Sequence, residues 1–323
     1  AGVYCIIIGI QNYKYASNAI IYSESSKIIV NNINPYLIPG ENTIVKNRQS
    51  SISLFPSIIR GCMPYDGGNL ILTSVDVNDL VGQFPNTNKY IKKLIGSADF
   101  INGNVRYCLW IPDNELETAL LCPIIQKRVN KTREMRLSSP DSGARKLALK
   151  PHQFREFNEC DNNTLIIPST SSERREYIPM GFADTNTVIT NSNYSVSNAT
   201  LTLFGIVTSK MQMIWMKAIG GRLKSDYRYT SLVYNTFPFP EISEEKKKEI
   251  EEAAEEVLCV RAEHSEKTLA EMYDPDKMPA DLRAAHHNLD LIVESCYRKE
   301  PFTSDEERLE HLFKLYEKMT QKS

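Results

Sequence analysis

The segment ATLTLFGIVTSKMQMIWMKAIGG, Ala199 to Gly221, constrains this chain more than any other. It is apolar on nearly every side and ends in two glycines, which stop a helix. A helix without a polar face has to be buried all round. The spacing predicts one continuous buried helix ending at the double glycine, with the rest of the fold built around it. The chain has 323 residues, 41% of them hydrophobic and 24% charged. That is long enough for about two or three domains with a real core, and the composition is that of an ordinary globular protein.

The next stretch, GGRLKSDYRYTSLVYNTFPFP (Gly220 to Pro240), raises a different question. Lys224, Asp226 and Arg228 stand at every second position, with Ser225, Tyr227 and Tyr229 between them. In an extended chain successive side chains point to opposite faces. The three charged groups then share one face, where a strand buried against a core would carry apolar residues. In the DNA major groove, a lysine donates to guanine and an aspartate accepts from the cytosine amino group. Lys224 and Asp226 together fit both halves of one G·C pair, and Arg228 fits a neighbouring base or a phosphate. An intrastrand Lys–Asp pair on an exposed edge, worth little energetically, is the other reading.

Short apolar runs in residues 1–75 (VYCIIIGI, NAIIYS, SKIIVNNI, NLILTS) read as strands or hairpins. NKYIKKLIG (Asn88 to Gly96) has helical spacing, VRYCLWI (Val105 to Ile111) reads as a core strand, and IIQKRVNKTREMRL (Ile124 to Leu137) as a basic helix. SSPDSGARKLALKPHQF (Ser138 to Phe154) reads as a basic loop. TLIIPSTSSERREYIPMGF (Thr164 to Phe182) reads as strand, polar loop, strand, and TVITNSNYSVSNAT (Thr187 to Thr200) is similar. The prolines of FPFP (Phe237 to Pro240) mark a boundary. Beyond it Ser243 is placed as an N-cap, Pro279 opens a second helix, and Ser304 with Glu307 forms a capping box for a third. Leu309, Leu312, Phe313, Tyr316 and Met319 line one stripe of that last helix.

Net charge is −2, unevenly spread. Residues 121–235 hold 16 Lys+Arg against 9 Asp+Glu, and residues 236–323 hold 13 against 22. A basic middle beside an acidic end favours an anion-binding centre; a chance gradient is the alternative. The seven cysteines are scattered and form no Cys-x-x-Cys, so reduced thiols and a cytoplasmic location are expected. VYCIIIGI is too short to span a bilayer and lacks the marks of a signal peptide. The chain begins directly in that strand-like run, as a piece of a larger polypeptide does.

Catalytic machinery is not visible. NPYL (Asn34 to Leu37) resembles the Asn-Pro-Pro-Tyr loop of adenine methyltransferases but lacks the second proline, and reads as a turn. His286 and His287 are adjacent, so they do not share a helix face, and no metal site is expected. WIPDNELE has Pro-Asp without a following Glu-x-Lys. What remains is SSERREY (Ser171 to Tyr177). Ser171, Ser172, Arg174 and Arg175 are residue types that contact phosphates. A salt-bridged surface loop, with Glu173 and Glu176 beside the arginines, explains it equally well.

SSERREYIPMGF, TLTLFGIVTSKMQMIWMKAIGGRLKSDYRY, LVYNTFPFP and LAEMYDPDKMPADLRAAHHNLDLIVESCYR together resemble the C-terminal half of MmeI-like type IIL restriction-modification proteins. VYCIIIGI and INPYLIPG are similar to that family's segment just after the methyltransferase core, so the likeness runs through nearly the whole chain. It implies an α+β fold: a mixed-sheet target-recognition domain followed by a C-terminal helical subdomain. The implied division is residues 1–75 as the last methyltransferase strands and connector, 76–240 as the recognition domain and 241–323 as the helical subdomain. It implies double-stranded DNA as partner, together with an upstream adenine-specific methyltransferase domain that carries S-adenosylmethionine. Matching the family pattern gives Lys224, Asp226, Arg228, Ser169, Asn191 and Ser192 as base readers, with Ser171, Ser172, Arg174 and Arg175 on the DNA backbone. The Lys and Asp combination resembles members that read guanine just after the methylated adenine. A protein-interaction module of a larger complex is the rival reading. This chain alone is expected to bind no S-adenosylmethionine, because its sequence shows no glycine-rich cofactor loop. Calorimetric titration checks this, and stoichiometric micromolar binding would overturn it.

Overall fold

A computed structural model of the chain describes residues 7–10, 18–22 and 27–321. The strand expected at Val3 to Ile10 lies partly outside them, and residues 7–10 have no regular structure. A hairpin comes first, β1 (Ala19–Tyr22) with β2 (Lys27–Val30). NPYL is a turn: the Asn34 carboxamide oxygen accepts from the backbone N–H of Tyr36 at 2.9 Å and of Ile38 at 3.3 Å. Then follow β3 (Ile59–Arg60), β4 (Ile71–Leu72), α1 (Ser74–Gln83), β5 (Ile91–Ile95), α2 (Ser97–Asn102) and β6 (Arg106–Leu109). Three helices come next, α3 (Leu116–Leu120), α4 (Pro123–Leu137) and α5 (Ser142–Leu147). Five strands follow, β7 (Thr164–Pro168), β8 (Thr170–Ser171), β9 (Gly181–Ala183), β10 (Thr187–Ile189) and β11 (Asn193–Val196). After them come α6 (Leu201–Thr208), α7 (Lys210–Ile219), β12 (Arg222–Leu223), β13 (Asp226–Arg228) and α8 (Ser231–Asn235). A helical unit ends the chain: α9 (Glu244–Glu263), α10 (Leu269–Met272), α11 (Ala280–Ser295) and α12 (Asp305–Gln321).

The fold is α+β with mixed sheets. One sheet runs β10-β5-β6-β4, with β10 parallel to β5 and the other pairs antiparallel. A second, antiparallel throughout, runs β3-β11-β7-β9, and a small third is β12-β13-β8. β3 and β4, which precede residue 75, belong to these sheets.

Three elements differ from expectation. NKYIKKLIG is a short 3-10 turn and then β5, because Ile91–Ile95 is paired on both edges, to β6 and β10; ladder pairing overrides helical spacing. The basic loop contains α5, nucleated by Asp141, whose carboxylate accepts from the backbone N–H of Gly143 at 3.0 Å and Ala144 at 3.2 Å. The long apolar helix is two helices, α6 and α7, broken at Ser209, whose backbone is extended. Local hydroxyl bonds favour the break: Thr208 donates to the Phe204 carbonyl and Ser209 to that of Ile206, both at 2.7 Å. The decisive partner is remote. Asp290 of α11 accepts from the Lys210 backbone N–H at 2.7 Å, capping α7 from another element.

One core runs from β7 (Leu165, Ile167) through Trp215 of α7 to Ile250, Leu289 and Phe313 of the helical unit. Gly205 lets α6 press against that unit: a Cβ there would lie 2.7 Å from Ile250 Cγ2 and 3.2 Å from Leu289 Cδ1. Phe237 and Phe239 of FPFP are buried in this core, so the proline boundary is not a flexible link. A second core, with Leu72, Leu94, Leu109, Ile125 and Val129, lies under the mixed sheet. Ser243 caps α9 as expected. Ser304 accepts from the Glu307 N–H, but the Glu307 carboxylate reaches Thr303, one residue beyond a true capping box.

Asp290 is 3% exposed. Burial pushes its carboxyl up to about 7, and the Glu294 charge adds to this, against the donors Lys210 N–H and Tyr177 hydroxyl and the Lys210 charge. The unfolded carboxyl titrates near ~3.9. The folded chain therefore holds a proton that the unfolded chain has released across the interval between. Stability from this group is complete below about pH 4 and is lost as pH rises towards about 7. The stability advantage of the native chain over Asp290→Asn is expected to shrink by about 1–4 kcal/mol across that window, measured by urea melts. A pH-independent difference would contradict it.

Candidate nucleic-acid interface

Strands β12 and β13 pair Arg222 with Tyr227 and Leu223 with Asp226, which leaves Lys224 and Ser225 as a two-residue turn. Two-residue hairpin turns need a positive φ at the first central residue. Lys224 has φ +57. This corrects the expectation of one strand face: Lys224 leaves the strand and forms the hairpin tip. Asp226 and Arg228 do share a face, opposite the buried Tyr227. The hairpin is tied down by Arg222, which donates to the Ser225 carbonyl at 3.0 Å, pairs with Glu173 at 3.3 Å and lies over the Tyr227 ring at 4.5 Å.

The remaining candidate readers come together beside it. Ser169 donates its N–H and its hydroxyl to the Ser192 carbonyl, at 3.1 and 2.6 Å, while its own carbonyl accepts from Tyr229 N–H at 3.0 Å. Residues 23 to 60 positions apart in sequence thus meet at one corner. The Ser192 hydroxyl is engaged inside that corner, accepting from Ser97 N–H at 2.9 Å and bonded to the Thr190 hydroxyl at 2.9 Å. Asn191 is held by its backbone, its N–H on the Cys62 carbonyl at 3.0 Å, and its side chain has no hydrogen bond among the described residues. Arg60, which the sequence reading missed, donates from Nε to the Asn191 carbonyl at 3.0 Å. The legible signal was Gly61 after it: a Cβ there would sit 2.3 Å from the Thr190 carbonyl oxygen, so only glycine lets the strand pass.

The SSERREY loop splits by residue. Ser171 was expected on the surface, but it is 2% exposed, pairs with Tyr227 beneath the hairpin, and its hydroxyl has no partner among the described residues. The Ser172 hydroxyl accepts from Arg174 N–H at 3.4 Å. Arg174 is ion-paired with Asp276 of the helical unit. Arg175 is half-buried without an ion pair or hydrogen bond from its guanidinium; burial lowers its pKa, and the Asp226 and Asp274 charges act the other way. Among the described residues, Lys224 and Arg228 of the hairpin, and Arg175 within the field of Asp226, are thus cationic groups that no carboxylate holds in an ion pair.

Residues 39–241 match the family described as "MmeI, target recognition domain", and residues 242–322 match "MmeI, C-terminal domain". The chain belongs to the MmeI target recognition domain family. It is 46% identical over all its 323 residues to DNA methyltransferase A of Bacillus subtilis (strain 168), of which it covers 37%. It superposes on the type IIL restriction-modification enzyme MmeI, solved in complex with DNA, with TM-score 0.88 and 38% identity, over 95% of this chain and 42% of that one. The chain therefore spans about two fifths of the length of these relatives. A target recognition domain is the part of a restriction-modification system that recognises DNA sequence, and the two family matches meet between residues 241 and 242, just after FPFP and just before α9.

Within this member of the family the two adjacent arginines have different surroundings. Arg175→Ala is expected to weaken binding to every duplex alike and to reduce the salt slope by about one, as losing one phosphate contact does. Arg174→Ala, whose charge is already met by Asp276, should leave the slope unchanged. Binding isotherms at several salt concentrations test both. A slope change in Arg174→Ala alone would reverse the assignment.

Proposed function

We propose that this chain reads double-stranded DNA from the major groove, for an adenine-specific methyltransferase that uses S-adenosylmethionine and lies elsewhere in the same polypeptide. The observation that carries this is Lys224. A lysine in a left-handed turn position, where glycine or asparagine is the ordinary choice, is exposed at a hairpin tip and bonded to nothing among the described residues. Its backbone cost buys the placement of a cation two residues from Asp226. A two-stranded β-ribbon is one of the shapes that the major groove admits. Lys224 then donates to guanine, Asp226 accepts from the paired cytosine, and Arg228 continues to a neighbouring base or phosphate. Ser169 and Asn191 stand at the adjoining corner. Ser192, whose hydroxyl is held internally, shapes that corner through its carbonyl. Arg175 lies behind the hairpin as a phosphate contact. An adenine modified by the parent protein has to leave the helix, as bases acted on by enzymes do.

The rival reading, a protein-interaction module, predicts binding with little salt dependence, whereas phosphate contacts make DNA binding fall steeply with salt. Selection of bound duplexes from a randomised library gives the preferred sequence directly. Lys224→Glu combined with Asp226→Arg is expected to turn one preferred G·C pair into C·G. Each single change should cost roughly 1–3 kcal/mol against the original duplex. An unchanged preference in the double variant would return these residues to an exposed Lys–Asp edge.

A further inference from the structure

The strip between β8 and β9 faces two ways. Glu173 pairs with Arg222 of the hairpin at 3.3 Å, and the charge of Arg175 lies within the field of Asp226. Arg174 pairs with Asp276, in the turn between α10 and α11, and Glu176 pairs with Arg283 of α11. Next in line, the Tyr177 hydroxyl donates to Asp290 of α11 at 2.7 Å, and its ring stacks on His286 with centroids 4.2 Å apart. Arg261 of α9 then donates to the Met180 carbonyl at 2.8 Å. Residue 173 thus holds the hairpin, and residues 174, 176 and 177 hold the helical unit.

The hairpin needs such support. Its strands have two and three residues, and its third strand, β8, has two. A sheet that small does not fix its own position. Base reading demands donors and acceptors placed to within about 0.5 Å. Phosphate attraction is far less exacting, because it depends on charge and only weakly on angle.

We propose that the helical unit is a brace for the base-reading hairpin, and that Asp276, Arg283 and Asp290 are positioning residues acting through the strip 173–177. This rests on the hairpin being the DNA-reading element. Loosening the brace leaves the cations in place, so non-specific binding and its salt slope survive. It lets the hairpin shift relative to the base edges, so discrimination falls. A residue that only held the fold together would lower both in step with the folded fraction.

The test uses the full chain and two duplexes, the one selected from the randomised library and the same duplex with its preferred G·C pair changed. Arg283→Glu is expected to reduce the affinity ratio between them roughly 2- to 30-fold, the range typical of coupled networks. Affinity for random duplex and the salt slope should hold. Glu176→Arg should do the same, and the two together should restore the ratio by re-forming the pair with reversed charges. Tyr177→Phe keeps the ring stacked on His286 and loses only the hydroxyl; it should also lower the ratio, and it serves where a charge reversal prevents folding. Retention of the full ratio in both Arg283→Glu and Tyr177→Phe would overturn the brace, as would a double reversal no better than the single ones. Absence of any sequence preference in the unaltered chain would instead overturn the DNA-reading assignment, and the brace with it.

Discussion

One buried carboxylate joins the parts of this molecule. Asp290 accepts from the Tyr177 hydroxyl with one oxygen and from the Lys210 backbone N–H with the other, both at 2.7 Å. The first bond reaches the strip that carries Glu173 and Arg175. The second caps α7 and breaks the long apolar segment, turning one helix into two. Burying an acid costs free energy unless its oxygens are satisfied. Here both are, by elements that sequence keeps far apart. Around it, Glu294 is met by Arg308 at 2.7 Å, and Lys210 reaches Asp305 at 3.3 Å, so α12 is drawn into the same joint. The helical unit is therefore a layer of one core, with Trp215 of α7 against Phe313 and Tyr316 of α12.

On this frame the charges divide into two populations. Arg174, Arg222 and Arg283 are paired within the chain, and their ionic work is structural. Among the described residues Lys224, Arg175 and Arg228 are not paired; two stand on the hairpin and Arg175 lies within the field of its Asp226. Exposed ion pairs are worth little in stability, so the paired set matters for where it holds the loop. The unpaired set is what a polyanion meets. A net charge of −2 conceals this, because the excess of acid sits in the C-terminal helices and the excess of base in the region of the sheets.

Much of the fold was legible in the sequence, for local reasons. Strand β7 is a run of apolar β-formers, α9 announces its cap at Ser243, and the turn at Asn34 follows from a side chain that bonds its own backbone. Two of the failures share a cause, which is a partner far along the chain. The break at Ser209 depends on Asp290, 80 residues beyond Lys210, and β5 depends on β10. The alternation of Lys224, Asp226 and Arg228 looks the same in a strand and in a hairpin, because both repeat every second residue. Only pairing register separates them, and the turn lacks the Asn-Gly signal that marks such hairpins. Likewise Arg174 and Arg175 are indistinguishable as letters. Asp276, 102 residues from Arg174, makes one of them structural.

That division bears on how such a site can change. The side chains of Lys224, Asp226, Arg228 and Asn191 have no hydrogen bond to the rest of the described chain, so replacing them alters the surface without removing an internal bond. The hydroxyls of Ser169 and Ser192 are different. The Ser169 hydroxyl closes the corner by donating to the Ser192 carbonyl, and the Ser192 hydroxyl fixes the start of α2 through Ser97. Substitution there moves the scaffold before it alters a contact. On the proposed reading, specificity is carried at positions that are energetically detached, on a small hairpin whose location is set by firmly attached ones. A domain built this way can exchange the detached residues of its hairpin while keeping the joint at Asp290, and with it the geometry that places them.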